Sequence, residues 1–370
     1  MVGRRGSSGR PTWACSDVAL AEPIRLTSLS HGAGCACKLG PSQLHDVLEL
    51  LGPSVPTEDV IVSESSGDDA AVYRLPDGRG AIVTLDFFTP LVDDPYDWGR
   101  IAAANALSDV YAMGGVPALA LNVAGWPVDV LPLEMLAEVL RGGRAIGDAA
   151  GIAVVGGHTI TTEKEPLYGM VAVGFASLDT LIRNTEARPG MSLVLTKPIG
   201  VGMISTAAKR GVATGAQLAD AITTMTTLND RASRAAVGAG VRAGTDVTGF
   251  GLLGHLRKLL EASGCAAVLD ASAVPTLDGA LDLARRDVVA GGTKRNHAWL
   301  QPTTDWGDCT LPEQLLLADA QTSGGLLLAT EDPRPLLDAG VGASVIGSTT
   351  AGTAGAIEVA GRLPTGPVAT

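Results

Sequence analysis

The sequence predicts an α+β fold of two αβ halves, and three observations carry that prediction. Helix-like and strand-like segments are interleaved along the chain, which argues against a helix bundle and a β-sandwich. The chain has 370 residues, more than one domain of usual size. A polar stretch at residues 183–190 divides it into two parts of similar length. Hydrophobic residues make up 46%, enough for large cores, and aromatics only 4%, so those cores must rest on Ala, Val, Leu and Ile.

The elements follow in order. Pro41 suits a first helical turn, and Leu44, Val47, Leu48 and Leu51 recur at helical spacing, so a helix is expected over 41–51. Apolar runs at 60–62, 70–75 and 81–85 read as strands. Asp97 is expected to cap a helix that continues to Met113 and stops at Gly114-Gly115. A strand at 119–123 and a helix at 132–150, weakened by Gly142-Gly143, come next. Strands at 152–155 and 170–175 complete the first half. The second half is expected to hold a strand at 193–195 and helices near 200–210, 216–239 and 252–262. A strand at 266–269, a helix at 277–286 and strands at 326–328 and 344–346 follow.

Charge narrows the partners. Asp and Glu number 39 against 27 Lys and Arg, a formal net charge of −12. Nucleic-acid backbones call for clustered basic residues, and anionic membranes repel acidic surfaces, so neither is an expected partner. A polyanionic ligand would have to arrive with metal cations. No apolar run reaches the roughly 18 residues of a membrane helix. Residues 1–23 lack an apolar core and read as a solvated, disordered tail rather than a secretory signal. Five scattered cysteines form no disulfide framework, which points to a reduced, cytoplasmic protein.

Four groups could carry chemistry. In His31-Gly32-Ala33-Gly34-Cys35-Ala36-Cys37-Lys38, small residues surround two thiols and an amine. A neighbouring ammonium favours the nucleophilic thiolate, and glycines let the backbone approach a ligand. An inert flexible arm is the plainer alternative. Asp68, Asp69, Asp86, Asp109 and Asp246 form the second group; Asn105 shares a helix face with Asp109. Each alone reads as a cap or a turn, but together they suit Mg²⁺ beside a polyphosphate. Gly156-Gly157-His158-Thr159 reads as a turn after a strand, whose N–H groups could hold phosphate or ribose. The fourth, Gly249 to Gly254, fits G-x-G-x-x-G with Asp270 about 20 residues on, but no strand is expected directly before it, which disfavours dinucleotide binding. His255 and His297 read as core or surface histidines.

HGAGCACK before a Pro-led helix resembles the N-terminal signature of the selenophosphate synthetase (selenide, water dikinase) family. The resemblance continues in order through SGDDAAVY, LDFFTPLVDDPYDWGRIAAANALSDVYAMGG, GGHT, TKPIGVG, DVTGFGLLGH, GGTKRN and QTSGGLLLA, spanning roughly residues 24–346. It implies the aminoimidazole ribonucleotide synthetase-like fold: two αβ domains, with the N-terminal strands of two subunits forming a barrel in a homodimer. It implies Mg²⁺-dependent conversion of ATP, selenide and water to selenophosphate, AMP and orthophosphate. By motif, Cys35 and Lys38 fall on essential positions of a mobile glycine-rich arm. Asp69, Asp109 and Asp246 fall on metal ligands. Lys38, Ser66, Gly67, Asp68, Asp86, Asn105, Asp109, Gly157, His158 and Thr159 fall on nucleotide contacts. The implied organisation is a tail (1–23), an arm with the first helix (24–65), an ATP/Mg-binding domain (66–182) and a C-terminal domain (183–370). Ala36 and Ala320 depart from the family's commoner Gly and Pro, and residues 1–23 have no counterpart.

Overall fold

Alternating burial builds the first half around one sheet. The computed structural model describes residues 24–30, 57–63 and 68–364, with 32, 34, 47 and 50 besides. The expected tail, the rest of the 41–51 helix, Cys35, Lys38, Ser66 and Gly67 lie outside the described residues. Strands β1 (Val60–Val62), β2 (Ala71–Arg74), β3 (Arg79–Phe88), β4 (Val116–Trp126), β5 (Ala153–Thr161) and β6 (Leu167–Ser177) stand in the order β1-β2-β3-β6-β4-β5. All neighbours are antiparallel except β4 and β5. Along β3, Ile82, Thr84, Asp86 and Phe88 turn inward while Val83, Leu85 and Phe87 are exposed. Asp86 thus lies within the strand rather than after it. Pairing puts Val171 and Val173 of β6, and Leu119 and Leu121 of β4, on the same outward face as Val83 and Leu85.

Two helices cover the inward face: α1 (Pro95–Ala112) and α2 (Leu133–Ala150). Asp94, not Asp97, caps α1, its carboxylate accepting from the Asp97 N–H at 2.9 Å. Fourteen of the 18 residues of α1 are buried, because it packs on the sheet, on α2 and on the second half at once. The glycines of α2 permit that packing. A Cβ at Gly142 would stand 2.0 Å from the Tyr96 carbonyl oxygen, and one at Gly143 2.0 Å from the Tyr168 hydroxyl. Gly156-Gly157 is not a turn. β5 runs straight through it, with φ of 152° and 154° and a slipped register between Ala120 and Asn122, so the pair forms a bulge.

The second half is a seven-stranded mixed sheet with flanking helices. Its elements are β7 (Ser192–Leu195), α3 (Val201–Lys209), α4 (Gly215–Thr226), α5 (Asp230–Gly238), β8 (Ala243–Asp246), α6 (Gly251–Ser263) and β9 (Ala266–Asp270). Then come α7 (Ala280–Arg285), α8 (Gly291–Leu300), β10 (Thr304–Asp305), α9 (Leu311–Leu317), β11 (Leu326–Thr330), α10 (Arg334–Asp338), β12 (Ser344–Thr350) and β13 (Ile357–Ala360). The strand order is β10-β13-β9-β12-β7-β11-β8. The single helix expected over 216–239 is broken in two, and the Lys197 ammonium donates to the Thr227 carbonyl oxygen at the break.

A strand, β8, does precede the Gly249–Gly254 motif, correcting the expectation. It forms without a β-branched run because every residue is buried, and a Cβ at Gly244 would crowd Leu328 at 2.6 Å. β8 pairs antiparallel with β11, so the parallel βαβ unit of a dinucleotide site is not formed there. No helix among the described residues is long and apolar enough to cross a membrane.

Candidate active site

The buried helix α1 carries three polar side chains on one face, Asn105, Ser108 and Asp109, spaced by three and four residues. Opposite them, β8 ends in Thr245-Asp246. Between the halves lies a cavity of about 220 Å³. The first half supplies Asp68, Asp69, Thr84, Asp86 and Asp109 to its wall. The second supplies Asn184, Thr245, Asp246 and Thr248, and α6 and its approach add Phe250, His255 and Lys258.

Among the described residues, five carboxylates therefore share one small cavity with one ammonium, that of Lys258. Burial, and then the neighbouring charge of Asp246, hold the Asp69 carboxyl well above the usual carboxylate range. A cation would relieve both. Each carboxylate expected to bind metal accepts from a hydroxyl: Asp69 from Thr245 at 2.7 Å, Asp109 from Thr84 and Asp246 from Ser108, both at 2.5 Å. Oxygen atoms of Asp69 and Asp246 and a ring nitrogen of His255 lie within 4.8 Å of one another. His255 Nε2 accepts the Thr248 backbone N–H at 3.1 Å, so a neutral ring carries its proton on Nδ1 and neither nitrogen is open to a metal. What remains is an oxygen donor set, which suits a hard cation such as Mg²⁺.

The neighbouring contacts tie the halves together. Asn105, fully buried, donates to Asp86 Oδ2 at 2.5 Å and accepts from the Ser323 N–H at 2.8 Å. The Lys197 ammonium donates to the carbonyls of Thr227 and Ser323 at 2.7 and 2.9 Å. Burial pulls its pKa down to about 7, against the attraction of Asp246. Asp68 accepts from the Asn184 N–H at 2.7 Å, linking the cavity to the inter-half connection.

The base of the glycine-rich segment reaches the same region. Lys209 Nζ donates to the carbonyls of Ser30 and Gly32, and Arg25 pairs with Asp93 at 3.0 Å. A Cβ at Gly34, where φ is +53°, would stand 2.5 Å from the Thr322 hydroxyl oxygen. Gly34 thus rests on the loop that also bonds Asn105.

The structure brings together Asp68, Asp69, Asp86, Asn105, Asp109 and Asp246. Gly157, His158 and Thr159 stand apart, exposed on edge strand β5 and absent from the cavity wall. Sequence reasoning missed Thr84, Ser108, Lys197, Thr245 and His255. The alternation of β3 could have found Thr84, two residues before Asp86, and the helical spacing of α1 could have found Ser108. His255 is buried, in line with its reading as a core histidine, and what the sequence did not reveal is its place on the cavity wall.

Comparison with known proteins agrees with this architecture. Family models described as AIR synthase related protein, N-terminal domain and C-terminal domain, match residues 67–176 and 188–360. A selenide, water dikinase of Pseudomonas putida is 48% identical over 84% of this chain and 89% of its own length. The selenide, water dikinase of Carboxydothermus hydrogenoformans is 45% identical over 85% and 90%. A solved structure, AaThiL complexed with AMPPCP and TMP, shares the fold with a TM-score of 0.64 at 18% identity, covering 89% of this chain and 96% of that one.

Proposed function

The chain belongs to the selenide, water dikinase family, and from that membership we propose that its inter-half cavity is where ATP, selenide and water become selenophosphate, AMP and orthophosphate. The observation that carries the assignment to this cavity is its five carboxylates, drawn from both halves and facing one lysine among the described residues. Such a wall repels a triphosphate unless divalent cations accompany it. Asp69, Asp109 and Asp246 would hold Mg²⁺, which when bound neutralises phosphate oxygens during transfer.

The protein's own groups do the positioning. Asn105 fixes the Asp86 carboxylate and, through Ser323, fixes the loop on which Gly34 rests. Asp68 and Asp86 serve as nucleotide contacts, with Ser66 and Gly67 from the motif that precedes them. Lys38 brings positive charge to the terminal phosphates. Cys35, the residue after Gly34, receives or presents selenium at the γ-phosphate and, with the arm in place, water is kept away until selenophosphate has formed. Hydrolysis of the remaining ADP then yields AMP. Selenophosphate serves as selenium donor for selenocysteine and selenouridine synthesis.

Gly157, His158 and Thr159 enter as nucleotide contacts on motif resemblance alone. The outward apolar face of the first sheet, with exposed Val83, Leu85 and Phe87, supports a homodimer whose strands close into a barrel. Free, buried Cys265 and Cys309 support a reducing, cytoplasmic setting.

Phosphorus NMR of the protein with MgATP and selenide tests the reading. A resonance coupled to selenium, growing with AMP, is the expected result. ATP consumption that yields only ADP and orthophosphate would overturn it.

A further inference from the structure

Thr245 and Asp246 are neighbours in sequence, and they exchange hydrogen bonds with the first half in opposite directions. The Thr245 hydroxyl, from the second half, donates to Asp69 Oδ1 of the first at 2.7 Å. The Ser108 hydroxyl, from the first half, donates to Asp246 Oδ2 of the second at 2.5 Å. Ser108, Thr245 and Asp246 are all nearly inaccessible to solvent, at 1%, 5% and 1% exposure.

Asn229 settles the direction of the Ser108 bond. An amide nitrogen can only donate. Asn229 Nδ2 donates to Ser108 Oγ at 2.9 Å and to the Gly324 carbonyl oxygen at 2.9 Å. Ser108 accepts there, and its own proton is directed to Asp246. The Thr245 hydroxyl lies within hydrogen-bond distance of two acceptors, Asp69 Oδ1 at 2.7 Å and the Asp246 carbonyl oxygen at 3.1 Å, and the shorter contact is the one to Asp69. One oxygen of each carboxylate is therefore turned toward a named hydroxyl of the opposite half.

We propose that Ser108 and Thr245 are positioning residues, a reciprocal clasp that holds Asp69 and Asp246 at the spacing a divalent cation needs before the cation arrives. The proposal deepens the metal-bridged reading above and rests on it. Two buried carboxylates from separate halves repel each other, and each accepts from a hydroxyl of the opposite half. The clasp restrains both carboxylates with two hydroxyls, one from each half. Hydrogen-bond partners of metal ligands commonly change metal affinity about 10- to 100-fold when removed.

The test is Mn²⁺ binding by the full-length protein with a non-hydrolysable ATP analogue, read by electron paramagnetic resonance, beside a thermal melt. Ser108→Ala and Thr245→Val should each weaken Mn²⁺ binding by about 10-fold or more. Thr245→Ser keeps the hydroxyl and should bind like the parent, which a loss of packing alone does not explain. If Ser108→Ala does not fold, the Thr245→Val and Thr245→Ser pair decides. Asp246→Asn separates the two ideas. If it loses Mn²⁺ while Ser108→Ala and Thr245→Val keep parental affinity, the clasp is wrong and the metal site stands. If it binds Mn²⁺ like the parent, the metal site is wrong and the clasp falls with it.

Discussion

Replacing Asn105 with alanine removes a bridge that joins Asp86, on the cavity wall, to the second half. Its amide donates to Asp86 Oδ2 and its oxygen accepts from the Ser323 N–H, at zero exposure. The alanine strands a buried N–H, which costs about 1–3 kcal/mol, and removes a bond to a charged carboxylate, about 1.5–3 kcal/mol. Together these give a loss on the order of 2.5–6 kcal/mol. Equilibrium urea unfolding should show it as a lower midpoint at an unchanged slope. Binding of a non-hydrolysable ATP analogue should weaken in parallel. Asn105→Asp should do no better, because it sets a second carboxylate against Asp86. A loss below about 1 kcal/mol in Asn105→Ala, with analogue binding intact, would refute the bridging role.

Three further outcomes follow from the same structure. Burial pushes the Asp319 carboxyl up to about 7, against the bonds it accepts from Thr293, Met203 N–H and Gln321. Its folded state keeps a proton that the unfolded chain has already released, so its stabilising contribution is full at acid pH and is lost as pH rises through about 7. Relative to Asp319→Asn, the parent's unfolding free energy should fall by about 1.4 kcal/mol per pH unit between about pH 5 and 7; a constant difference in urea titrations would contradict this. Gly142→Ala places a Cβ 2.0 Å from the Tyr96 carbonyl oxygen and should lower stability by about 1–3 kcal/mol, while Gly238→Ala, with nothing within 4 Å, should leave it unchanged or raise it by up to about 1 kcal/mol. Thermal melts compare the two. Cys35→Ala should abolish selenophosphate formation with an unchanged circular dichroism spectrum, and selenide turnover at the parent rate would remove Cys35 from delivery.

The aspartates were legible in the sequence because carboxylates beside apolar strands need a cation, and Asn105 and Asp109 share a face at any helical geometry. The α+β alternation was equally legible, since apolar period follows local structure. What was hidden depended on distant partners. Gly156-Gly157 reads locally as a turn, and only pairing with β4 makes it a bulge inside β5. The break after Thr226 coincides with a carbonyl taken by Lys197, 30 residues away in sequence. β8 is a strand because its small residues pack against Leu328, not because of their own propensity. Asp94 takes the cap from Asp97 for a local reason: Pro95 occupies the first helical position, where its missing N–H costs nothing. The hydroxyls of Ser108 and Thr245 gain meaning only when the halves meet.

The most direct measurement is a crystal structure of the protein with Mg²⁺ and a non-hydrolysable ATP analogue. The account predicts metal–oxygen distances of about 2.0–2.1 Å from Mg²⁺ to carboxylates among Asp69, Asp109 and Asp246, with the triphosphate beside them. A triphosphate bound elsewhere, with no cation on those three side chains, would contradict it.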